Sequence, residues 1–162
     1  MSAVLQKPDP ELRPVHEHDL ARIAAIEARA YEFPWTLGIF ADCLRSGYCC
    51  WSLVLAEQTV GYGVMTVAMD EAHILNLCVD PVHHRQGYAQ IVLDHLLALA
   101  VRHLASMVFL EVRPSNTGAR RLYARNGFEQ LAVRRGYYPA AVGREDALVL
   151  AKTFRSRVES RG

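Results

Sequence analysis

The 162-residue sequence predicts a single-domain α/β (α+β) layer fold, a central mixed and mostly antiparallel sheet flanked by helices. Three observations carry this. Short β-branched and aromatic runs recur along the whole chain, two long apolar segments of helical period interrupt them in the middle, and hairpin signals stand nearer the ends. Strands followed by crossover helices place parallel neighbours in the centre, and hairpins add antiparallel strands at the edges.

In chain order, residues 1–10 carry Pro8 and Pro10 without periodicity and are expected to be a flexible tail, as are 155–162. The folded domain is expected over 11–154. A first strand is predicted near 11–15, followed by a helix capped around His18-Asp19 with Leu20, Ile23, Ala24 and Ile26 at helical spacing. A second short helix is predicted over 37–46. Strands at 51–56 and 60–68 are separated by Glu57-Gln58-Thr59, which reads as a three-residue hairpin loop. A strand at 72–79, a long helix at 87–104, a strand at 107–112 and a helix at 116–126 ended by Gly127 come next. Strands at 128–134 and 147–154 complete the domain, with no internal repeat and no linker.

Composition bounds the function. With 51% hydrophobic and 22% charged residues the chain is an ordinary globular one, and a net charge of +1 excludes a globally basic nucleic-acid binder. Charge is uneven, however: Arg113, Arg120, Arg121, Arg125, Arg134 and Arg135 face a single acid, Glu129, between positions 113 and 135, which suits a polyanionic ligand. The apolar run near 91–101 is interrupted by Asp94 and His95, too short to span a bilayer. Cys43, Cys49, Cys50 and Cys78 have no metal-type spacing and no signal-peptide pattern is seen, so a reducing, cytoplasmic compartment is expected. His83 and His84 have no carboxylate or cysteine at ligand spacing, so no metal is expected. His73 is read in the same way, and His95 and His103 are expected to face solvent on the long helix.

The chemistry concentrates in residues 75–128. An apolar strand ends in Leu77-Cys78-Val79-Asp80-Pro81, and a glycine turn, His84-Arg85-Gln86-Gly87-Tyr88-Ala89, opens the long helix. Unpaired helix N–H groups and aligned peptide dipoles favour an anion there, with the glycine admitting close approach of a phosphate. The turn matches neither the dinucleotide nor the Walker pattern, and by itself it is also read as a plain helix start. Glu111 sits between Leu110 and Val112, so strand alternation turns it away from both apolar neighbours, toward a cleft, solvent or a cation such as Arg113. Tyr123 shares the Ala119/Leu122 face of its helix and points inward.

The order of strand, H-R-Q-G-Y-A turn, helix, glutamate strand and N-x-x-A-x-x-L-Y-x-x-x-G-F resembles the GCN5-related N-acetyltransferase (GNAT) family over nearly the whole chain. Phe33-Pro34-Trp35, Arg134-Arg135-Gly136-Tyr137-Tyr138-Pro139 and Glu145-Asp146-Ala147 sharpen the likeness to its RimI-type branch, enzymes that acetylate the N-terminal alanine of a small-subunit ribosomal protein. The resemblance implies acetyl-CoA as co-substrate and no metal. It implies that the backbone of Arg85, Gln86, Gly87, Tyr88, Ala89 and Gln90 holds the pyrophosphate, with Asn116 a further contact. Leu77, Cys78 and Val79 would bind the pantetheine arm and polarise the thioester carbonyl. It makes Glu111 the base, with partial burial expected to raise its pKa toward neutrality, and Tyr123 the acid for the departing thiolate.

Phe33, Pro34, Trp35, Tyr137 and Tyr138 would wall a peptide groove, with Glu145 and Asp146 available to a basic peptide N-terminus. A ribosomal-protein N-terminal peptide is the expected acceptor, taken directly in a ternary complex by a monomer that contacts neither nucleic acid nor membrane. Two alternatives stand beside it: the same cofactor with a lysine side chain or small amine as acceptor, and a CoA-binding module without turnover.

Overall fold

The structure is a computed structural model that describes residues 8–154. Its elements are β1 (Glu11–Pro14), α1 (Leu20–Ala30), α2 (Leu37–Arg45), β2 (Cys49–Leu55), β3 (Gln58–Ala68), β4 (Glu71–Val79), α3 (Tyr88–Arg102), β5 (Met107–Val112), α4 (Thr117–Arg125), β6 (Glu129–Pro139) and β7 (Arg144–Thr153), with one-turn 3-10 helices at Glu17–Asp19 and Pro81–His83. The seven strands form one sheet in the order β1-β2-β3-β4-β5-β7-β6. Every pairing is antiparallel except β4 with β5. The mixed, mostly antiparallel sheet expected from the sequence is therefore observed. Of the tails expected at 1–10 and 155–162, residues 1–7 and 155–162 lie outside the described residues, and 8–10 precede β1 without regular structure.

Alternation along the strands makes two apolar layers. On one face Leu53, Met65, Ile74, Val108 and Leu110 pack under α3 and α4, whose Val92, Leu93, Leu96, Leu122 and Tyr123 complete that layer. On the other, Tyr62, Val64 and Cys78 pack under α1 and α2 through Ile23, Ile26 and Phe40. That second layer draws on β2, β3 and β4 and on nothing from β5, β7 or β6. Half of this face is thus left without a helix among the described residues.

Local chemistry sets most element ends. Thr36 caps α2 by accepting the Ile39 amide, and Asn116 caps α4 by accepting that of Ala119 at 3.2 Å. Gly127, at φ +84°, ends α4 while the Phe128 and Gly127 amides return to the Tyr123 and Ala124 carbonyls, as the sequence predicted.

Other ends differ from expectation. The β2–β3 connection is a two-residue turn, because Ala56 and Glu57 both take positive φ while Gln58 and Thr59 already pair with Leu55 and Val54. β6 continues to Pro139, so Tyr137 and Tyr138 stand on a strand, and β7 starts at Arg144 to pair with it. His95 does not face solvent: its ring meets Trp51 edge-on at 4.2 Å, and its Nε2 is buried without a partner among the described residues. Burial accordingly lowers its pKa.

Candidate active site

The sheet parts in its middle. β4 and β5 pair only at Glu71↔Met107, Ala72↔Val108 and His73↔Phe109; beyond that rung β4 continues on β3 and β5 on β7. A register shift helps to separate them: Val64 pairs with Asn76 and Met65 with Ile74, leaving Leu75 as a bulge that bends β4. The gap joins the two faces of the sheet. Along its β4 side lie Leu77, Cys78 and Val79, with the Leu77 carbonyl accepting from the Tyr31 hydroxyl at 3.3 Å and that of Val79 accepting from His84 Nε2 at 2.8 Å. Cys78 is buried beside Tyr62 and Tyr31, and burial pushes its thiol up to about 11. It is an inert core thiol at neutral pH.

Asp80 turns the chain out of β4. It is 1% exposed, its amide donates to the Val60 carbonyl at 2.7 Å, and its carboxylate accepts from Arg29 at 2.5 Å and from the Val82 amide, with Arg22 at 3.8 Å. Burial alone would raise its pKa, but the Val82 amide and Arg29 outweigh it and hold the group below the usual carboxylate range. The loop that follows is thereby anchored to α1.

Arg85 and Gly87 in that loop take φ of +63° and +81°, which orients successive amides toward one side, and α3 starts at Tyr88 with no acid in its first turn and no side-chain cap. The amides of 85–90 find no acceptor among the described residues. A Cβ on Gly87 would meet nothing within 4 Å, so the space before the loop is open. These residues fit a pyrophosphate: donors, a helix dipole and room. The Gln90 and Asn126 side chains bond reciprocally at 2.8 and 2.9 Å and tie α3 to α4 beside the loop.

Glu111 lies across the gap on β5, 8% exposed and turned to the face without a helix while Leu110 and Val112 face the core. Its Oε2 stands 2.6 Å from His73 Nε2, and its Oε1 is 3.6 Å from Arg134. The expectation that burial would raise its pKa is overturned. The hydrogen bond from His73 is the larger influence and, with Arg134, holds the carboxylate below its usual range despite burial. Arg113, an alternative partner considered for Glu111, is engaged elsewhere.

Tyr123 enters from α4 on the opposite face, packed on Phe128 at 5.4 Å. Burial, with Tyr138 nearby, raises its pKa well above the usual tyrosine value, so the phenol stays protonated. Glu111 and Tyr123 thus belong to opposite faces of the parted sheet.

The two aromatic segments meet through Arg113. Its guanidinium lies over the Tyr138 ring at 4.3 Å and the Phe33 ring at 5.7 Å, and donates to the Pro139 carbonyl at 2.8 Å and to Glu145 at 3.2 Å. Glu145 also accepts from the Ser115 amide and hydroxyl, and Asp146 accepts the Gly136 amide at 2.8 Å. Both carboxylates that the sequence offered to a peptide are therefore already partnered within the chain. Trp35 packs on Phe40, and its amide donates to buried Glu27, which also accepts from Tyr62 and Asn76. Pro34 is exposed between Phe33 and Trp35.

His73, Glu27, the packing of Arg113 on Phe33 and Tyr138, and the Arg134 contact to Glu111 were missed as parts of the site. The register of β4 against β5 brings His73 to Glu111, and no local pattern in the sequence encodes it. Among the described residues no group of histidine, cysteine and acidic side chains is arranged to hold a metal.

A sheet opened between two central strands, with an anion cradle at the mouth of the gap, is the frame of an acyltransferase drawing on a nucleotide-linked thioester. Comparison with known proteins makes this definite. A family model described as acetyltransferase (GNAT) family matches residues 12–128, and the chain belongs to that family of acetyl-CoA-dependent acetyltransferases. It is 37% identical over 133 residues, 82% of this chain and 90% of the relative, to the [ribosomal protein bS18]-alanine N-acetyltransferase of Escherichia coli (strain K12). It is 35% identical to the protein of that description from Haemophilus ducreyi, across 83% of this chain and 94% of the relative. The crystal structure of the ribosomal-protein-S18-alanine N-acetyltransferase from Escherichia coli superposes with a TM-score of 0.87 at 32% identity, covering 95% of this chain and 99% of that one.

Proposed function

We propose that this chain acetylates the α-amine of the N-terminal alanine of ribosomal protein bS18, a RimI-type activity, in a ternary complex with acetyl-CoA. The observation that carries the reading is Glu111 in the β4/β5 gap, facing the helix-free half of the sheet near Tyr138, whose ring Arg113 joins to that of Phe33. The chain's likeness to relatives with that printed activity supports it.

Acetyl-CoA supplies the acyl group as a thioester. The amides of Arg85, Gln86, Gly87, Tyr88, Ala89 and Gln90 hold its pyrophosphate, and the backbone of Leu77, Cys78 and Val79 runs along its pantetheine arm, with Asn116 at the start of α4 a further contact. Phe33, Pro34, Trp35, Tyr137 and Tyr138 bound the peptide. Glu145 and Asp146 support that wall from behind through Arg113, Ser115 and Gly136. Glu111 receives the proton of the incoming ammonium. An α-amine with pKa near 8 is about a tenth neutral at pH 7, so a weak base held ionised suffices. Tyr123 donates its proton to the departing sulfur, and Cys78, with its high pKa, carries no acyl group.

The reading has the 11–154 domain acting as a monomer in the cytoplasm, where ribosomal proteins are made, without direct contact to nucleic acid or membrane. No helix among the described residues is long and apolar enough to cross a membrane.

The test is incubation with acetyl-CoA and peptides beginning Ala, Ser, Gly or Met, including the bS18 N-terminus, with the acetyl group localised by fragment mass spectrometry. Acetylation of the α-amine of Ala-starting peptides is expected; acetyl on lysines alone overturns the reading. Folded Glu111→Gln and Tyr123→Phe variants are expected to lose about 100-fold in kcat.

A further inference from the structure

His73 is the first β4 residue to reach the site, and it does so at the last rung that joins β4 to β5. Its ring is stacked on Phe109, its partner across that rung, at 4.2 Å and 19°. From there Nε2 lies 2.6 Å from Glu111 Oε2, two residues farther along β5 on the same face. One member of the pair comes from each strand, immediately before the strands part.

We propose that His73 is a positioning residue for acetyl transfer: its imidazole holds the Glu111 carboxylate at the base of the gap by one hydrogen bond to Oε2, leaving Oε1 as the edge that meets the acceptor amine. The inference rests on the reading of Glu111 as the base.

The geometry specifies the proton. A carboxylate only accepts, so Nε2 carries hydrogen and Nδ1 is the other ring nitrogen. The Phe109 stack fixes the plane of the imidazole, and the imidazole in turn fixes the carboxylate. Arg134 does not replace it, because 3.6 Å from Oε1 is an ion-pair distance with no directed hydrogen bond. The remaining charged and titratable groups around Glu111 come from β6, which supplies Tyr138 and Arg134, the latter over the Tyr137 ring; Arg113 and Glu145 lie behind Tyr138. Val149, the β7 residue opposite Glu111, is apolar. His73 is the more solvent-exposed of the pair, 25% against 8%.

The sign of the pH effect follows. The His73 hydrogen bond keeps Glu111 ionised below its usual pKa, whereas burial acts in the opposite sense. Removing that bond leaves burial less opposed, so the acid limb of kcat/KM moves upward.

His73→Phe keeps a ring on Phe109 and removes the N–H; His73→Gln keeps a donor and removes the ring. In the Phe variant kcat is expected to fall about tenfold with peptide KM within about twofold, and the acid limb to rise by about one pH unit. The Gln variant is expected to recover most of kcat. A folded Phe variant with unchanged kcat and acid limb overturns the inference, as do equal losses in both variants with the limb unmoved. Nitrogen NMR of the unsubstituted protein tests it independently of variant folding: Nε2 is expected to be protonated near pH 7, and an unprotonated Nε2 overturns it. Glu111→Gln is assayed alongside. Retained turnover there refutes the base reading itself, whereas an inactive Glu111→Gln beside an unaffected His73→Phe refutes only the role given to His73.

Discussion

Replacing Glu27 by alanine tests whether the acceptor side is held from within the core. Glu27 is 2% exposed on α1, and its carboxyl oxygens accept from Tyr62 Oη at 2.8 Å, Asn76 Nδ2 at 2.9 Å and the Trp35 amide at 3.2 Å. These donors come from β3, β4 and the segment before α2, so one side chain joins three parts of the fold. Glu27→Ala leaves three donors without their partner in a site closed by Ile23, Ile26 and Phe40. At about 1–3 kcal/mol for each buried group left unpaired, and with some relief from rearrangement, the loss is about 4 kcal/mol. For a chain of this size that lowers Tm by about 12 °C.

Glu27→Gln preserves shape and one acceptor oxygen but sets an amide NH2 against an existing donor, so its cost is smaller, about 2 kcal/mol. Scanning calorimetry of the three proteins checks the order, and steady-state assays of Glu27→Gln are expected to show a raised peptide KM with acetyl-CoA KM unchanged. An alanine variant melting within a degree or two of the parent refutes the argument.

Two further predictions address the loop between β4 and α3. Gly87→Ala meets no steric neighbour but must adopt φ +81°, so it is expected to cost about 1 kcal/mol and to raise acetyl-CoA KM while leaving peptide KM unchanged; paired titrations of both substrates check this. Asp80 has a lowered folded pKa, so it contributes stability above the unfolded carboxylate value near 4 and loses it as pH falls through the folded value. Tm is expected to drop below about pH 4, and Asp80→Asn to lower Tm at neutral pH while flattening that acid-side dependence, as thermal melts across pH would show.

Much of the frame is legible in the sequence because its signals are local. Alternation of Leu110, Glu111 and Val112 states which way Glu111 points, Gly127 marks the end of α4, and Gly87 marks the start of α3. Segments are misread where partners override local cues. Gln58 and Thr59 have loop-like neighbours but are drawn into β3 by pairing with Leu55 and Val54, and 137–139 stay extended because β7 pairs with them after an irregular step at Gly136. His95 sits on a helix with charged neighbours, yet its ring is taken up by Trp51 from β2.

The sequence by itself determined the order and type of the elements, the glycine turn that opens α3, the outward turn of Glu111 and the inward turn of Tyr123. Each depends on residues within one or two turns of one another. Tertiary structure alone decided where the sheet opens, because the parting depends on a bulge at Leu75 and on only three rungs between β4 and β5. It also decided the state of Glu111. His73 and Arg134, 38 residues before and 23 residues after it, hold it ionised against its own burial, and charge coupling over ångströms across strand pairings has no trace in the order of the chain.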